Sequence, residues 1–373
     1  MYPILVFDSD MNYLAQIDDY EYLQWTRRWR KPHSWELHIN RYKKHVELLM
    51  PDHFIAVKRG GKWRTGRIGH KEIGLTQEGK ISENWTVKGY SLDGVFYDRI
   101  ALHNVSSGNG YDEQNAAAED VMRHYVNINC INPVDATRTI PFLHLGNGLA
   151  RGKKVQVRAR FQTIAQLLED LSLGSGLGYE TTIDLANQRF VFDVLEGHDL
   201  TPNQTEHSPV IFSPEFDNVK LLGFRLNRMD AKNTAIVAGQ GEAQERLIIN
   251  ISDPALTGFA RREVFIDARD LQTAEQLLQR GTERLNESKE ELVMEIEHLP
   301  NGPFKYMVDF DIGDIIHANY PGIGSTESRI IEVVEEVTPD QGDSFKLIIG
   351  KEWPDLISVL KADRKNLEVE VRR

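Results

Sequence analysis

Apolar and polar positions alternate with a period of two through most of this chain, and shift to a helical period in only a few windows. Ser34-Trp-Glu-Leu-His-Ile-Asn40 is the clearest case, with Trp35, Leu37 and Ile39 on one face and Glu36 and His38 on the other. Tyr2-Pro-Ile-Leu-Val-Phe and Tyr13-Leu-Ala-Gln-Ile read as short strands with a polar turn between them. Phe54-Ile-Ala-Val-Lys and Lys62-Trp-Arg flank Arg59-Gly-Gly61, which predicts a hairpin. Trp85-Thr-Val-Lys-Gly-Tyr is a further strand, and Ser91 caps a short helix running to Arg99. Strands this short and closely spaced predict a small β-barrel over residues 1–105.

Residues 106–208 read as an inserted α/β domain, entered through a linker at 104–112. A helix is predicted from about Glu113 to Asn129, its buried face carried by Ala118, Val121, Met122 and Tyr125, with Pro133 as the stop. Thr163-Ile-Ala-Gln166 is a capping box, and Ile164, Leu167, Leu168 and Leu171 form the stripe of a second helix ending at Gly174. Tyr179-Glu-Thr-Thr-Ile and Phe190-Val-Phe-Asp-Val supply two strands around Asn187, and 198–209 form the exit loop.

From Val210 the chain reads as a meander. Asp217-Asn218 turns it into Val219-Lys-Leu-Leu-Gly-Phe-Arg-Leu, Asp230 to Asn233 into Thr234-Ala-Ile-Val-Ala, and Gly239-Gln-Gly241 leads to Arg246-Leu-Ile-Ile-Asn-Ile. Asp270 can cap a long helix that places Leu271, Ala274, Leu278 and Leu285 on one side, with Gly281 a local weakness. Strands then follow at Glu291 to Glu297 and at four segments up to Phe345-Lys-Leu-Ile-Ile-Gly. Residues 209–350 are therefore predicted to build a second barrel, with the helix and strand of 270–298 packing on the inserted domain. Residues 351–373 read as a C-terminal helix, through Leu356, Val359, Leu360 and Leu367, and a charged tail. The fold class expected is α+β, mainly β: two small β-barrels with an α/β insertion and a C-terminal helix.

Composition sharpens this picture. With 373 residues, 40% hydrophobic and 27% charged, the chain has the make-up of a folded protein of two to four domains. No apolar run approaches the ~20 residues that cross a bilayer, and the N-terminus lacks the basic lead of a signal peptide. Cys130 is the single cysteine, which excludes an intrachain disulfide and a Cys-based zinc site and suits synthesis in a reducing cytoplasm. The net charge of −12 is uneven: residues 1–70 hold 12 Lys/Arg against 8 Asp/Glu, so the acidity lies beyond them. Such a balance argues against nucleic-acid binding as the main task. It suits a surface past which nucleic acid moves without sticking.

No motif predicts catalysis. Gly239-Gln-Gly241 lacks a third glycine and precedes a strand, so it reads as a turn and not as a dinucleotide fingerprint. Gly174-Ser-Gly-Leu-Gly178 follows a helix and reads as its C-cap and turn. Asp309, Asp311 and Asp314 form the tightest carboxylate cluster, a conceivable Ca²⁺ site that lacks EF-hand spacing and reads more simply as solvated carboxylates. The 12 histidines show no zinc spacing, Glu295 and Glu297 near His298 read as the outer face of a strand, and no Gly-x-Ser-x-Gly elbow occurs. No catalytic, cofactor-binding or metal-binding residue is expected. Trp25-Thr-Arg-Arg-Trp-Arg-Lys31 interleaves aromatics with cations, and is read as an anchor against a neighbouring protein.

Six segments in order carry a family resemblance: Val87-Lys-Gly-Tyr-Ser-Leu-Asp-Gly94; Phe192 to Thr201; Val210 to Phe216 with Asn218; Asn233 to Arg246; Arg262 to Leu271; and Phe310 to Ile316. Together they resemble the hub proteins at the tail tip of siphophages, related in fold to the central hub of contractile tails. The resemblance covers roughly residues 1–350. It implies two small barrels per chain and a homotrimer whose six barrels match a six-fold tail tube. The partners implied are tail-tube and distal tail proteins, tail-fibre or receptor-binding proteins and the tape measure protein. DNA would pass through without specific binding, and the chain would not enter a membrane. The place implied is the tail tip of the virion, after synthesis in the bacterial cytoplasm. The resemblance favours a structural, non-enzymatic role with no cofactor. The alternatives are a cell-wall hydrolase and a tail protein that binds a host receptor or carbohydrate.

Overall fold

The computed structural model describes residues 1–75, 79, 81–102, 110–241, 245–269, 271–288, 291–299, 302–340 and 342–350. The predicted C-terminal helix and most of the 104–112 linker lie outside these residues. The chain divides into two compact units, one formed by Met1–Leu222 with Glu295–Ile349, the other by Gly223–Met294 with Gly350.

The fold is mainly β, as the alternation predicts. In the first unit, Ile4–Phe7 pairs with both Tyr13–Ile17 and Phe54–Arg59. From there the antiparallel order runs through Lys62–Glu72, Asn84–Ser91 and Ser34–Asn40 to Tyr22–Arg28. A barrel would close by joining Tyr22–Arg28 to Tyr13–Ile17. That edge is instead taken by Gly324–Thr338, in register from Leu23↔Val337 to Arg28↔Glu332.

Gly324–Thr338 is 15 residues long, and its length lets it serve several neighbours. Its first part pairs with Ile315–Tyr320, which also takes Ile211–Phe212 in parallel. Its second part pairs with Gly342–Gly350 on one side and Tyr22–Arg28 on the other. The two predicted barrels are thus corrected to two open strand arrays that share one strand; no closed barrel occurs among the described residues.

The sheet is buried on both faces. Ile4, Val6, Leu23, Trp35, Leu37, Ile39, Ile55 and Val57 form one core. Phe7 and Ala56, on the opposite face, join Leu92, Phe96, Met122, Tyr125, Leu168, Tyr179 and Phe192 in a second. Residues of the inserted segment therefore share a core with the first array. Each fully buried side chain of this size contributes ~1.5–3 kcal/mol of transfer free energy.

The inserted segment holds the helices Ala118–Val126 and Ile164–Ser175. The predicted face of Ala118, Val121, Met122 and Tyr125 is buried. The first helix starts later than its composition suggests, because Asp112–Ala117 is a strand paired with Lys154–Ala159. Tertiary pairing overrides the helix propensity of its alanines there. Thr163 Oγ1 accepts from the Gln166 N–H as a cap, and the second helix ends at Gly176 in the left-handed region, two residues beyond the predicted stop. Gly178–Asp184 and Arg189–Leu195 form the predicted hairpin, and Leu143–Leu145 adds to it in parallel.

In the second unit, Thr234–Ala238 lies between Ile248–Ile251, antiparallel, and Glu263–Asp267, parallel. These strands, predicted for the second barrel, form a three-stranded sheet of their own. The helix Ala274–Glu287 covers one face of it. Its cap is Thr273, whose hydroxyl accepts from Gln276 N–H while Gln276 reaches back to the cap backbone; the predicted cap, Asp270, lies outside the described residues. The buried face runs through Leu277 and Gly281, and Leu278 is exposed, a phase one residue from the prediction. Gly281 is needed where it stands, because a Cβ there would run into Ile251 and Val237.

Candidate functional site

Tyr22–Arg28 is the strand on which the first unit converges. Leu23, Trp25 and Arg27 on one face are buried, and on the other Thr26 is buried between half-buried Tyr22, Gln24 and Arg28. Trp25 stacks on Trp35 with ring centroids 6.4 Å apart. Trp29 is 2% exposed, and its Nε1 donates to the Gly176 carbonyl at 3.0 Å. Its ring lies against Gly313, whose φ of 92° and lack of a Cβ make that approach possible. The predicted protein-interface role of Trp25 to Lys31 is therefore corrected: both tryptophans are core residues of their own chain. Cations of the same run pair internally as well, Arg28 with Glu332 at 2.9 Å and Lys31 with Glu169 at 3.2 Å.

Arg27 opens a buried ionic junction. Its Nη1 donates to Tyr306 Oη at 2.8 Å and Asp311 Oδ1 at 2.5 Å, and its Nη2 reaches Glu180 Oε2 at 3.5 Å. Tyr306 donates in turn to Glu335 Oε1 at 2.9 Å. The other oxygen of Glu335 receives Arg64 Nη1 at 2.5 Å, with Arg59 Nη2 at 3.6 Å. Arg59 continues to Asp343 at 3.2 Å and stacks on the Tyr2 ring at 3.9 Å, and Tyr2 Oη donates to the same Asp343 at 2.6 Å. Three guanidinium groups thus face four carboxyl groups drawn from segments far apart in the chain.

Burial alone drives a carboxyl toward its neutral form. Against that pressure, Arg27 and then Arg64 hold Asp311 below the usual carboxylate range. Arg64, Arg27 and Arg59 do the same for Glu335. Burial pushes the Tyr306 hydroxyl upward, so it remains a donor. His33, beside the junction, is driven well below its ordinary value by burial and then by Arg27, Arg64 and Arg28. Asp93 goes the other way, pushed up to about 6 by burial.

A junction of this kind fixes geometry and offers no chemistry. Both oxygens of Glu335 and Oδ1 of Asp311 are engaged by donors, and the neighbouring guanidinium groups hold both carboxyls ionised, so neither is poised as a general acid. Sequence patterning singled out Arg27 and Asp311 for other roles and passed over Arg59, Arg64, Tyr306 and Glu335. A signal was present in Val333, Glu335 and Val337, where an acidic residue occupies an inward-facing position of a strand.

The other residues singled out in the sequence fall elsewhere. Asp309 accepts from the Lys305 N–H at 2.7 Å, Asp311 belongs to the junction, and Asp314 receives the N–H groups of Asp311 at 2.7 Å and His198 at 2.8 Å. The three carboxylates thus organise a turn, in which Asp314 is buried and Asp311 half-buried, where the simpler reading left them in solvent. Among the described residues no group of three His, Cys, Asp or Glu side chains is placed to hold a metal ion. Glu295 pairs with Lys346 at 2.9 Å and Glu297 with Lys220, while His298 is buried and its Nε2 meets the Phe304 carbonyl at 2.7 Å. Gly239 and Gln240 lead out of Thr234–Ala238 toward Ile248–Ile251, with Gly239 N–H donating to Leu247 O at 2.8 Å and Gln240 N–H to Leu271 O at 2.9 Å; part of the predicted connection, residues 242–244, lies outside the described residues. Among the described residues no helix is long and apolar enough to cross a membrane.

No curated protein sequence matches this chain. The fold is similar to three solved structures along nearly its whole length. The 43 kDa tail protein of prophage MuSo2 from Shewanella oneidensis aligns at a TM-score of 0.61 and 14% identity, covering 93% of this chain and 98% of that one. The tail protein from Neisseria meningitidis MC58 gives 0.58 and 14%, covering 94% and 97%. Prophage tail protein gp18 from Listeria monocytogenes EGD-e gives 0.56 and 13%, covering 98% and 99%. At such identities the likeness is one of fold, and it is to phage tail proteins, as the ordered motifs imply. Residues 3–351 match the family described as Siphovirus ReqiPepy6 Gp37-like protein, and the chain belongs to that family of siphovirus tail proteins.

Proposed function

We propose that the protein is a structural hub of the tail tip, joining the six-fold tail tube to the host-attachment parts as a homotrimer around a channel for DNA. The observation that carries this reading is the Gly324–Thr338 strand shared by two β arrays and pinned by the buried Arg27–Tyr306–Glu335–Arg64 chain. It makes the two arrays one stiff wall. Three copies would then present six arrays, which is how a three-fold ring meets a six-fold tube. The family and the phage tail proteins that share the fold support a structural role and not a catalytic one. The partners proposed are the tube and distal tail proteins, the receptor-binding parts and the tape measure protein. The channel wall would be neutral or acidic, so that DNA slides without being held.

Electron cryo-microscopy of particles carrying a tag on this chain tests the proposal. Three copies around the tail axis at the tip are expected. Six copies, a position along the tube, or a channel wall lined by Arg and Lys would overturn it.

A further inference from the structure

We infer that one face of the ribbon formed by Asp112–Ala117 and Lys154–Ala159 binds a polysaccharide that carries carboxylates, a role beyond the structural one proposed above. The Arg158 guanidinium lies 3.7 Å from the centre of the Tyr111 ring, and Arg160 lies 5.3 Å from the same ring and 4.6 Å from that of Phe161. Cations and rings therefore alternate along one edge. Phe161 is 54% exposed and sits at φ 62°, a backbone conformation that a bulky residue adopts only under constraint. The constraint is visible: its N–H donates to Ala101 O, and Ala101 N–H donates to Gln162 O, both at 2.8 Å. An aromatic ring is thus held partly in water by its own main chain.

Strand alternation adds the rest of the surface. Gln156 stands opposite Asn115, and Arg158 opposite Glu113, all four exposed. Sugar rings stack their C–H faces on aromatic rings. Paired amides match neighbouring hydroxyls, and a guanidinium fork matches a carboxylate. Each six-residue strand is ~20 Å long, room for a chain of several sugars. Nucleic acid fits less well. DNA lacks the vicinal hydroxyls that the paired amides of Gln156 and Asn115 would engage, whereas the Glu113 carboxylate, 3.2 Å from Arg158, opposes either polyanion alike.

Electrophoresis of the purified protein through native gels containing polygalacturonate, alginate or neutral dextran tests the inference, beside titration with labelled (dT)20. Retardation by both uronate polymers and not by dextran is expected. Phe161→Ala and Arg160→Ala should each weaken it about tenfold, while Lys44→Ala, at an exposed lysine on another part of the chain, leaves it unchanged. Should either ring or guanidinium variant misfold, Gln156→Glu gives the same reading by placing a repelling charge on the face. No retardation by either uronate polymer, equal retardation of all variants, or tighter binding of (dT)20 would overturn the inference. So would binding that 0.5 M salt abolishes and Phe161→Ala leaves intact, at about that concentration, since this describes simple ion exchange.

Discussion

Arg64 and Glu335 are 271 positions apart in sequence, yet their side chains meet 2.5 Å apart with almost no exposure to water. Neither charge would survive there alone. Removing one partner leaves the other buried and unpaired, which typically costs about 3–5 kcal/mol. Glu335→Leu and Arg64→Met should each lower the urea midpoint accordingly. The Arg64→Met, Glu335→Leu double variant should lose clearly less than the sum of the single changes. Additive losses would mean that the pair is not coupled.

The same junction sets the acid sensitivity. Asp311 and Glu335 have folded-state values below their unfolded ones, so their contribution is present above the ordinary carboxylate range and is lost as pH falls through the depressed values. His33 is also depressed; its neutral form is favoured by folding, and stability declines as pH drops below about 6.5. Asp93 acts in the opposite sense, because a value raised to about 6 means that the folded state keeps the proton longer and loses stability as pH rises through that value. Thermal melts should therefore show a gradual decline below neutrality and a steep one in strong acid. The Asp93→Asn variant should gain on its parent between pH 4 and pH 7, a window set by that value. A variant whose difference from the parent is flat with pH would refute the assignment.

Trp29 distinguishes a core residue from an interface anchor. If its ring holds Gly313 and the Gly176 carbonyl in place, Trp29→Ala destabilises the isolated protein by about 3–5 kcal/mol. A variant that melts like its parent and fails only in particle assembly would return Trp29 to the surface.

Gly281 offers a test by sign. Glycine to alanine inside a helix ordinarily adds roughly 1 kcal/mol of stability. Here the new methyl group would meet Ile251 and Val237, so Gly281→Ala should destabilise. Combining it with Ile251→Ala should recover part of the loss in the same thermal melts.

What could be read from the sequence was local. Ser34–Asn40 announced both its strand and its buried face, and Ala118, Val121, Met122 and Tyr125 announced theirs. These patterns repeat within one element, so no distant partner is needed to see them. The pairing of Tyr22–Arg28 with Gly324–Thr338 leaves no such mark. Arg27 and Glu335 look like ordinary surface charges until the chain is folded, because each is neutralised by residues hundreds of positions away. The same gap made Trp25 and Trp29 resemble contacts for another protein. Asp112–Ala117 was misread for a related reason: its composition favours a helix, and only Lys154–Ala159 makes it a strand. The buried helix face at Leu277 was displaced by one residue, since the adjacent leucines Leu277 and Leu278 fit the stripe about equally well.

The long strand has a mechanical meaning. A tug on the Ile315–Tyr320 side enters Gly324–Thr338 through its ladder and travels along covalent backbone to the ladder with Tyr22–Arg28. Such a load displaces the strand as a rod, and it opposes many hydrogen bonds in shear instead of peeling them one by one. A pull at one array is therefore felt in the other before either comes apart.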